Sequence, residues 1–351
     1  MKKYCYLALT IIFTCFIWIG CSNSIITNNN VNTSWVFVAN EGNMGASNGT
    51  ISMIDDFGNV YTTGFIGDVV QSLEVYNNKL FVIVTDDHKM LMYNIDPEGI
   101  SLEKEFITNS SMPREMVIVN DKIYFTNLET QDVKIIDILN KQLEETTISI
   151  DGRPEDIIFD GIYIWVSIPE ISKWDKNQGT KVAKIDPNSN EIIEYIEVGR
   201  GPQSLILHND NIFVSRTYYD DNWNPQHGAT KIGTEIIKNN YGSGAPCGGS
   251  IISHANKVYR SQNWIPDNEE GIVPLDIDNN LDFISLEKIG NYQSPIIIYH
   301  MENINGKIYF TLTDFASINL LKILDNYNNE IATYEVGINP GDLAYWKKLL
   351  E

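Results

Sequence analysis

Pro202-Gln203-Ser204-Leu205-Ile206-Leu207-His208-Asn209-Asp210-Asn211-Ile212-Phe213-Val214-Ser215 is a short apolar strand, a polar turn and a second strand rich in β-branched and aromatic residues. The chain writes this hairpin repeatedly. Pro154 to Ser167, Pro113 to Thr126 and Gln71 to Val82 are further copies, and weaker ones begin at Pro246 and near Ile298. A truncated copy, Pro340-Gly341-Asp342-Leu343-Ala344-Tyr345-Trp346, follows near the C-terminus. The prolines at 113, 154, 202 and 246 lie 41, 48 and 44 residues apart. An all-strand repeat of about 40–50 residues has the length of a four-stranded propeller blade. After the hairpins a third strand often ends in Ile-Asp or a relative, as in Lys134-Ile135-Ile136-Asp137 and Ala183-Lys184-Ile185-Asp186, and a fourth leads to a turn such as that at Gly199. No window sustains the i, i+3, i+4 apolar spacing of helical repeats. The expected fold class is all-β, a β-propeller.

Full sets of strands begin at Val70, Pro113, Pro154, Pro202, Pro246 and Ile298, while the hairpin at Trp35 lacks its innermost strand. Placing the C-terminal strand inside the N-terminal three completes a seventh blade, closes the ring and removes both sheet edges. The degenerate copies near Pro246 and Ile298 leave six and eight blades open at this level.

Ahead of the propeller, expected over residues 35–351, the chain divides at Cys21. Lys2 and Lys3 precede the apolar run Tyr4 to Ile19, and Trp18-Ile19-Gly20-Cys21 sets a small residue before a cysteine. This resembles a bacterial lipoprotein signal, which implies lipidation of Cys21 and attachment to a membrane outside the cytoplasm. Trp18 stands where such signals usually carry Leu, and an uncleaved membrane anchor is the alternative. Residues 22–34 are a polar tether. Ser22 after the cysteine resembles an outer-membrane address, and the acidic tract that resembles a surface-export signal is missing, so the periplasmic face is favoured. Of the 4 cysteines only Cys247 belongs to the expected domain, so no disulfide forms within it and the core alone must hold the fold. Cys247, beside two glycines, is expected as a small packed residue. Loss of Lys2 and Lys3 takes the formal charge from −21 to −23. A surface so acidic excludes nucleic acid as a partner, because that binding needs basic contacts to phosphates.

In a propeller the start of each innermost strand and the loop between its second and third strands emerge on one face. Three such loops are long here: Ser167 to Thr180, Ser215 to Thr230 and Ser261 to Gly271. They carry Trp174, Tyr218, Tyr219, Trp223 and Trp264, with Arg216 among them. Aromatics gathered on long loops of a rigid ring point to recognition of a small molecule or an envelope protein. Gln71, Arg114, Glu115, Glu155, Asp156, Gln203 and Ser204 begin the inner strands and form a polar ring at the channel mouth, where they are candidates for hydrogen bonding a ligand. Asp68, Glu115, Asp156 and Asp342 are candidates for a bound cation, although blade-to-blade spacing fixes no ligand geometry.

Asn40-Glu41-Gly42-Asn43, a small-residue turn and strand, and then Gly67-Asp68-Val69-Val70-Gln71-Ser72 resemble the start of YncE-like propeller lipoproteins of Bacteroidota. That group includes BtuG-type proteins, which capture cobalamin and pass it to a TonB-dependent transporter. The resemblance implies a ligand face that includes Asn40, Glu41 and Asn43, cobalamin as a candidate ligand and a transporter as a candidate partner.

No Gly-x-Ser-x-Gly, His-Glu-x-x-His, paired-cysteine or Gly-Lys-Ser/Thr motif occurs. His208 and His254 are expected as exposed turn residues, and His88 and His227 in loops of the ligand face. His300, in register with Glu115, Asp156 and Ser204, is the one weak candidate for a general base, in a position that resembles the one used by streptogramin-lyase-type propellers. The expectation is a non-catalytic, lipid-anchored binding protein. Its rivals are an envelope scaffold and a channel-mouth lyase or hydrolase.

Overall fold

The computed structural model describes residues 33–244, 249–263, 271–290, 292 and 295–348. Cys21, Cys247, Trp264, the signal and most of the tether lie outside them. The described residues form seven sheets, six of four strands and one of three. In the composite blade, which we number 1, the inner strand Pro340–Lys347 pairs with Ser34–Asn40, which pairs in turn with Thr50–Asp55 and through it with Val60–Thr62. The closing register sets Trp35 opposite Trp346 and Phe37 opposite Ala344. Blades 2 to 7 have inner strands Val70–Tyr76, Pro113–Val119, Ile157–Phe159, Pro202–His208, Ile251–His254 and Ile297–Ile304. Seven blades and the C-terminal closure are as expected.

The blades stand face to face, which is why second strands are buried on both faces and rich in apolar residues. Leu80–Val84 and Ile164–Ile168 are buried along their length, while the outer strand Gln142–Ser149 is mostly exposed. Each interface has its own cluster, such as Phe37, Leu73, Leu80, Val82 and Leu91 between blades 1 and 2. Each such side chain contributes about 1.5–3 kcal/mol when fully buried.

Polar ties join neighbouring blades near the channel. From the second strands, Thr85 donates to the Pro113 carbonyl at 2.7 Å, Thr126 to that of Glu155 at 2.6 Å, Ser167 to that of Gln203 at 2.7 Å and Thr311 to that of Pro340 at 2.6 Å. In a second set, a side chain in or just before an inner strand accepts the N–H of the next blade's inner strand: Asp156 from Leu205 and Asp342 from Leu73, both at 2.6 Å, and Ser250 from Met301 at 2.9 Å. A buried bond of this kind contributes about 1 kcal/mol, and leaving a partner unmade costs more. The recurrent Ser, Thr and Asp of the repeat therefore serve the ring.

Two expectations about local structure are corrected. Ser215 to Thr230 is not a loop: Asn211–Tyr219 and Pro225–Ile232 pair along their whole length, leaving only a tight turn at 220–224. His208 and His254 are not exposed. His208 is buried against Phe213 and shares a hydrogen bond with Ser253, and His254 is buried near Tyr259. Among the described residues no helix is long and apolar enough to cross a membrane.

Candidate functional site

Inner strands run from the mouth, where the loops between second and third strands also emerge, toward the first hairpin turns. Their shared register stacks side chains into rings. The uppermost ring reads Gln71, Arg114, Glu155, Gln203, Gly249, Tyr299 and Gly341 from blade 2 round to blade 1. Arg114 organises it. Its Nε donates to both carboxylate oxygens of Glu155 at 3.1 Å, and its Nη1 to Gln71 Oε1 at 2.6 Å. Gln71 Nε2 then donates to Glu115 Oε1 at 3.0 Å. Burial opposes the Arg114 charge, but the attraction and hydrogen bonds of Glu155 outweigh it and hold the guanidinium above its ordinary value.

Opposite Arg114, Tyr299 donates to Glu41 Oε1 at 2.8 Å, and burial raises the Glu41 carboxyl against that hydrogen bond. Glu41 can lean over the channel because residue 341 is glycine: a Cβ there would stand 2.6 Å from Oε1.

Two extended segments rise over this ring. Asp175 caps the first, accepting from Ile171 N at 2.7 Å and Gln178 N at 3.1 Å, and Asp220 caps the turn of the second, accepting from Asn224 N at 2.8 Å. The segments are joined: Tyr219 N donates to Lys176 O at 3.1 Å, Asn177 Nδ2 to Thr217 O at 2.8 Å, and Lys176 Nζ lies 5.0 Å from the Trp223 ring. Gly201 permits the approach, since a Cβ there would meet Thr217 O at 2.0 Å. Trp174 and Trp223 both sit at positive φ, 63° and 64°, a costly conformation for large side chains held here by the capping aspartates. They stay 75 % and 52 % exposed. A cavity of about 490 Å³ lies between this wall and the ring, lined by Arg114, Gln203, Glu170, Trp174, Tyr219, Trp223 and Tyr299 among others. It meets the central channel, about 690 Å³, along Arg114, Gln203 and Tyr299.

Deeper in the channel, His300 and Asp342 belong to the second ring, and Glu74 and Glu302 lie two residues further along their strands. Enclosure pushes Glu74 and Glu302 up to about 8, with Asp342 adding to both, and raises Asp342 and Glu115 as well. Glu302 keeps 45 % of its side-chain surface open to the channel, so solvent there moderates its shift. Burial lowers the His300 imidazole to about 4, leaving it neutral at pH 7. Its Nε2 is 3.4 Å from Asp342 Oδ1 and 3.9 Å from Glu302 Oε2, and among the described residues it has no hydrogen-bond partner.

The structure brings Glu41, Gln71, Arg114, Glu155, Gln203, Trp174, Tyr219 and Trp223 to one mouth. It places other candidates elsewhere. Asn40 is buried inside blade 1, donating to Thr50 and Ser52. Asn43 is an exposed turn residue whose backbone N–H bonds Asn48. Arg216 is buried in blade 5, where Gly199 and Gly228 make room for it and it donates to Asn239 O and Asn240 Oδ1 at 2.7 Å. Tyr218 lies under Arg200, 4.9 Å from ring to guanidinium. His227 is buried and shares a hydrogen bond of 2.9 Å with Arg260, while His88 accepts from Met112 N at 3.1 Å. The four carboxylates considered for a cation are engaged separately, Asp68 by Gly45 N, Glu115 by Gln71, and Asp156 and Asp342 by neighbouring strands. Among the described residues no group of three or more His, Cys, Asp or Glu is arranged to hold a metal ion. Tyr299, Glu170 and Lys176 escaped the sequence reading. Tyr299 was within reach, since it occupies the register position of Arg114 and Gln203.

No protein-family model and no curated protein sequence matches the chain. Solved structures do. A putative 6-phosphogluconolactonase from Bacteroides fragilis NCTC 9343 is similar at 14% identity and a TM-score of 0.63, over 90% of this chain and 98% of that one. A periplasmic gluconolactonase from Pseudomonas aeruginosa is similar at 13% identity and a TM-score of 0.62, over 89% and 99%. Apo AztD from Citrobacter koseri is similar at 13% and 0.55, over 91% and 100%. At these identities the likeness is one of fold. It nonetheless overturns the expectation of a non-enzyme. Two proteins of this architecture carry lactonase names, so the missing serine-elbow, zinc and phosphate-loop motifs do not exclude hydrolysis on such a ring.

Proposed function

We propose that this propeller takes a small molecule into the mouth of its channel, stacking it on Trp174, Trp223 and Tyr219 and orienting it with Arg114, Glu155 and Tyr299. The observation that carries this reading is the joining of two remote segments into one aromatic wall directly above a fixed polar ring. Aromatic faces with a few oriented polar groups are the usual composition of a small-molecule site. Lipid attachment through Cys21 at the outer membrane, with delivery of the ligand to a TonB-dependent transporter, extends the proposal along the YncE-like resemblance, and cobalamin is one candidate ligand. A second reading, docking of an envelope protein, is favoured by the exposure of Met44, Phe65 and Trp174, at 84%, 76% and 75%.

The test is thermal unfolding of the full chain in detergent against cobalamins, sugars, sugar lactones and amines. NMR of each stabilising compound before and after incubation reads any conversion. A compound at about 100 times its dissociation constant stabilises the fold by about 2.7 kcal/mol. A shift lost in Trp223→Ala and in Arg114→Ala supports the mouth as the site. Retention of the full shift in both variants refutes it.

A further inference from the structure

The channel beneath the mouth is two-sided. Blades 7, 1 and 2 contribute His300, Glu302, Asp342 and Glu74, whereas blades 4, 5 and 6 present Ile158, Ile206 and Ile252 at the register of Glu74 and Glu302. Ala344, between the two glutamates in blade 1, holds that register position with a small side chain. The acids face one nearby cation in the ring, Arg114, which is already held by Glu155 and Gln71.

Among the described residues, two of the acids have no part in joining the blades. Asp342 binds Leu73 N and Leu343 N, but the ring ties described above use neither Glu74 nor Glu302. The enclosed Nε2 of His300 stands between Asp342 and Glu302 at 3.4 and 3.9 Å without a hydrogen bond to either. A donor group placed among these atoms would satisfy all three.

We infer that the channel binds an amphiphilic organic cation, its ammonium or guanidinium group held by Glu74, Glu302, Asp342 and His300 and its apolar body lying on Ile158, Ile206 and Ile252. The inference rests on the mouth as the way in, and it names the ligand class. A metal ion is a poorer occupant, because the acids are spread over three blades and, among the described residues, no three or more His, Cys, Asp or Glu are arranged to hold one. A neutral polyol would leave the excess negative charge uncompensated, and a carboxylate would add to it. The aromatic wall is compatible with the same ligand, since a passing cation is attracted to the faces of Trp174 and Trp223.

Binding should also depend on pH. The groups facing the cation are Glu74, Glu302, Asp342 and His300, with Glu115, Asp156, Arg114 and Glu41 further up the channel. Enclosed carboxyls that hold protons near neutrality must release them to receive a cation, so affinity rises with pH.

The experiment is calorimetric titration of the full chain in detergent with hexylammonium, hexanol and hexanoate. The ammonium probe keeps its charge from about pH 6 to about pH 8.5, so the protein alone titrates in that window. The expected result is binding of hexylammonium only, tightening about tenfold or more across the window, and lost in the Glu74→Gln/Glu302→Gln double variant. That variant removes charge while keeping shape, and a thermal melt establishes that it folds. Equal binding of hexanol, or undiminished ammonium binding in the double variant, overturns the inference. A sugar or lactone that binds in a Trp223-dependent way while hexylammonium does not also overturns it and leaves the mouth reading intact. Ammonium binding that vanishes in Glu74→Gln/Glu302→Gln but is untouched by Trp223→Ala supports the cation site and counts against the aromatic wall.

Discussion

Glu74 offers a direct measure of how much negative charge the ring encloses. In the unfolded chain its carboxyl titrates near 4.5, and in the folded channel near 8, through burial first and Asp342 second. The folded protein thus binds a proton that the unfolded chain has already released. Stability from this group is complete below about pH 4.5 and is lost as pH rises through about 8. The full shift corresponds to about 5 kcal/mol at most, and an open channel admits enough solvent to reduce it severalfold. Glu74→Gln keeps the shape and removes the ionisation. We therefore expect it to stabilise the protein by about 2 kcal/mol near pH 9, to raise Tm there by about 4 °C, and to do almost nothing near pH 5. Scanning calorimetry of wild type and variant at matched pH values reads this difference. A Gln variant that melts below wild type near pH 9 would show that Glu74 holds something together as a carboxylate. A gain of equal size near pH 5 would show that packing is responsible. Either result refutes the electrostatic account of the channel.

Other perturbations test the mouth and the ring ties. Arg114→Met leaves Glu155 and Gln71 without their donor; breaking a buried pair costs about 3–5 kcal/mol, and with about a fifth of each side chain open the expected loss is about 2 kcal/mol, read from urea melts. Gly201→Ala puts a Cβ 2.0 Å from Thr217 O at a φ of 64°, so it should push the Tyr219 segment from Lys176 and change tryptophan fluorescence, at a cost of about 2 kcal/mol or more. Asp342→Ala frees the N–H groups of Leu73 and Leu343 and should cost about 2 kcal/mol in denaturant unfolding, whereas Asp342→Asn, which keeps an acceptor, should recover part of it.

The ring was legible because its cause is repetitive. Each copy of the hairpin states the same instruction, and the incomplete pieces at Trp35 and Pro340 complement one another. The site was only partly legible, because a polar residue that ties strands looks the same in sequence as one that waits for a ligand. Asp156 and Asp342 looked like channel ligands, yet both accept backbone N–H groups from the next blade. Arg216 looked like a ligand-face cation, but Gly199 and Gly228, remote from it in sequence, open a pocket that buries it. The placement of Trp174 and Trp223 around one cavity depends on contacts between Lys176 and Tyr219, which no local pattern announces. Tyr299 differs from these, because carrying the register of Gln203 one step along the copy near Ile298 would have placed it at the mouth.

Acidity alone does not distinguish architecture from site in this channel; what each acid accomplishes does. Asp156 and Asp342 secure N–H groups that would otherwise be stranded between blades, which offsets the cost of enclosing them. Glu155 offsets its own cost by holding Arg114. Among the described residues Glu74 and Glu302 tie no blades, and the charge of Glu74 adds to the rise at Glu302. Closing the ring requires neither, for the register position they share is aliphatic in blades 4, 5 and 6 without harm to the sheets there. Their enclosure costs stability that no contact between blades returns. A positively charged group from outside the chain would return it, which is why the pH-dependent stability of Glu74→Gln and the binding of hexylammonium are two measurements of one quantity.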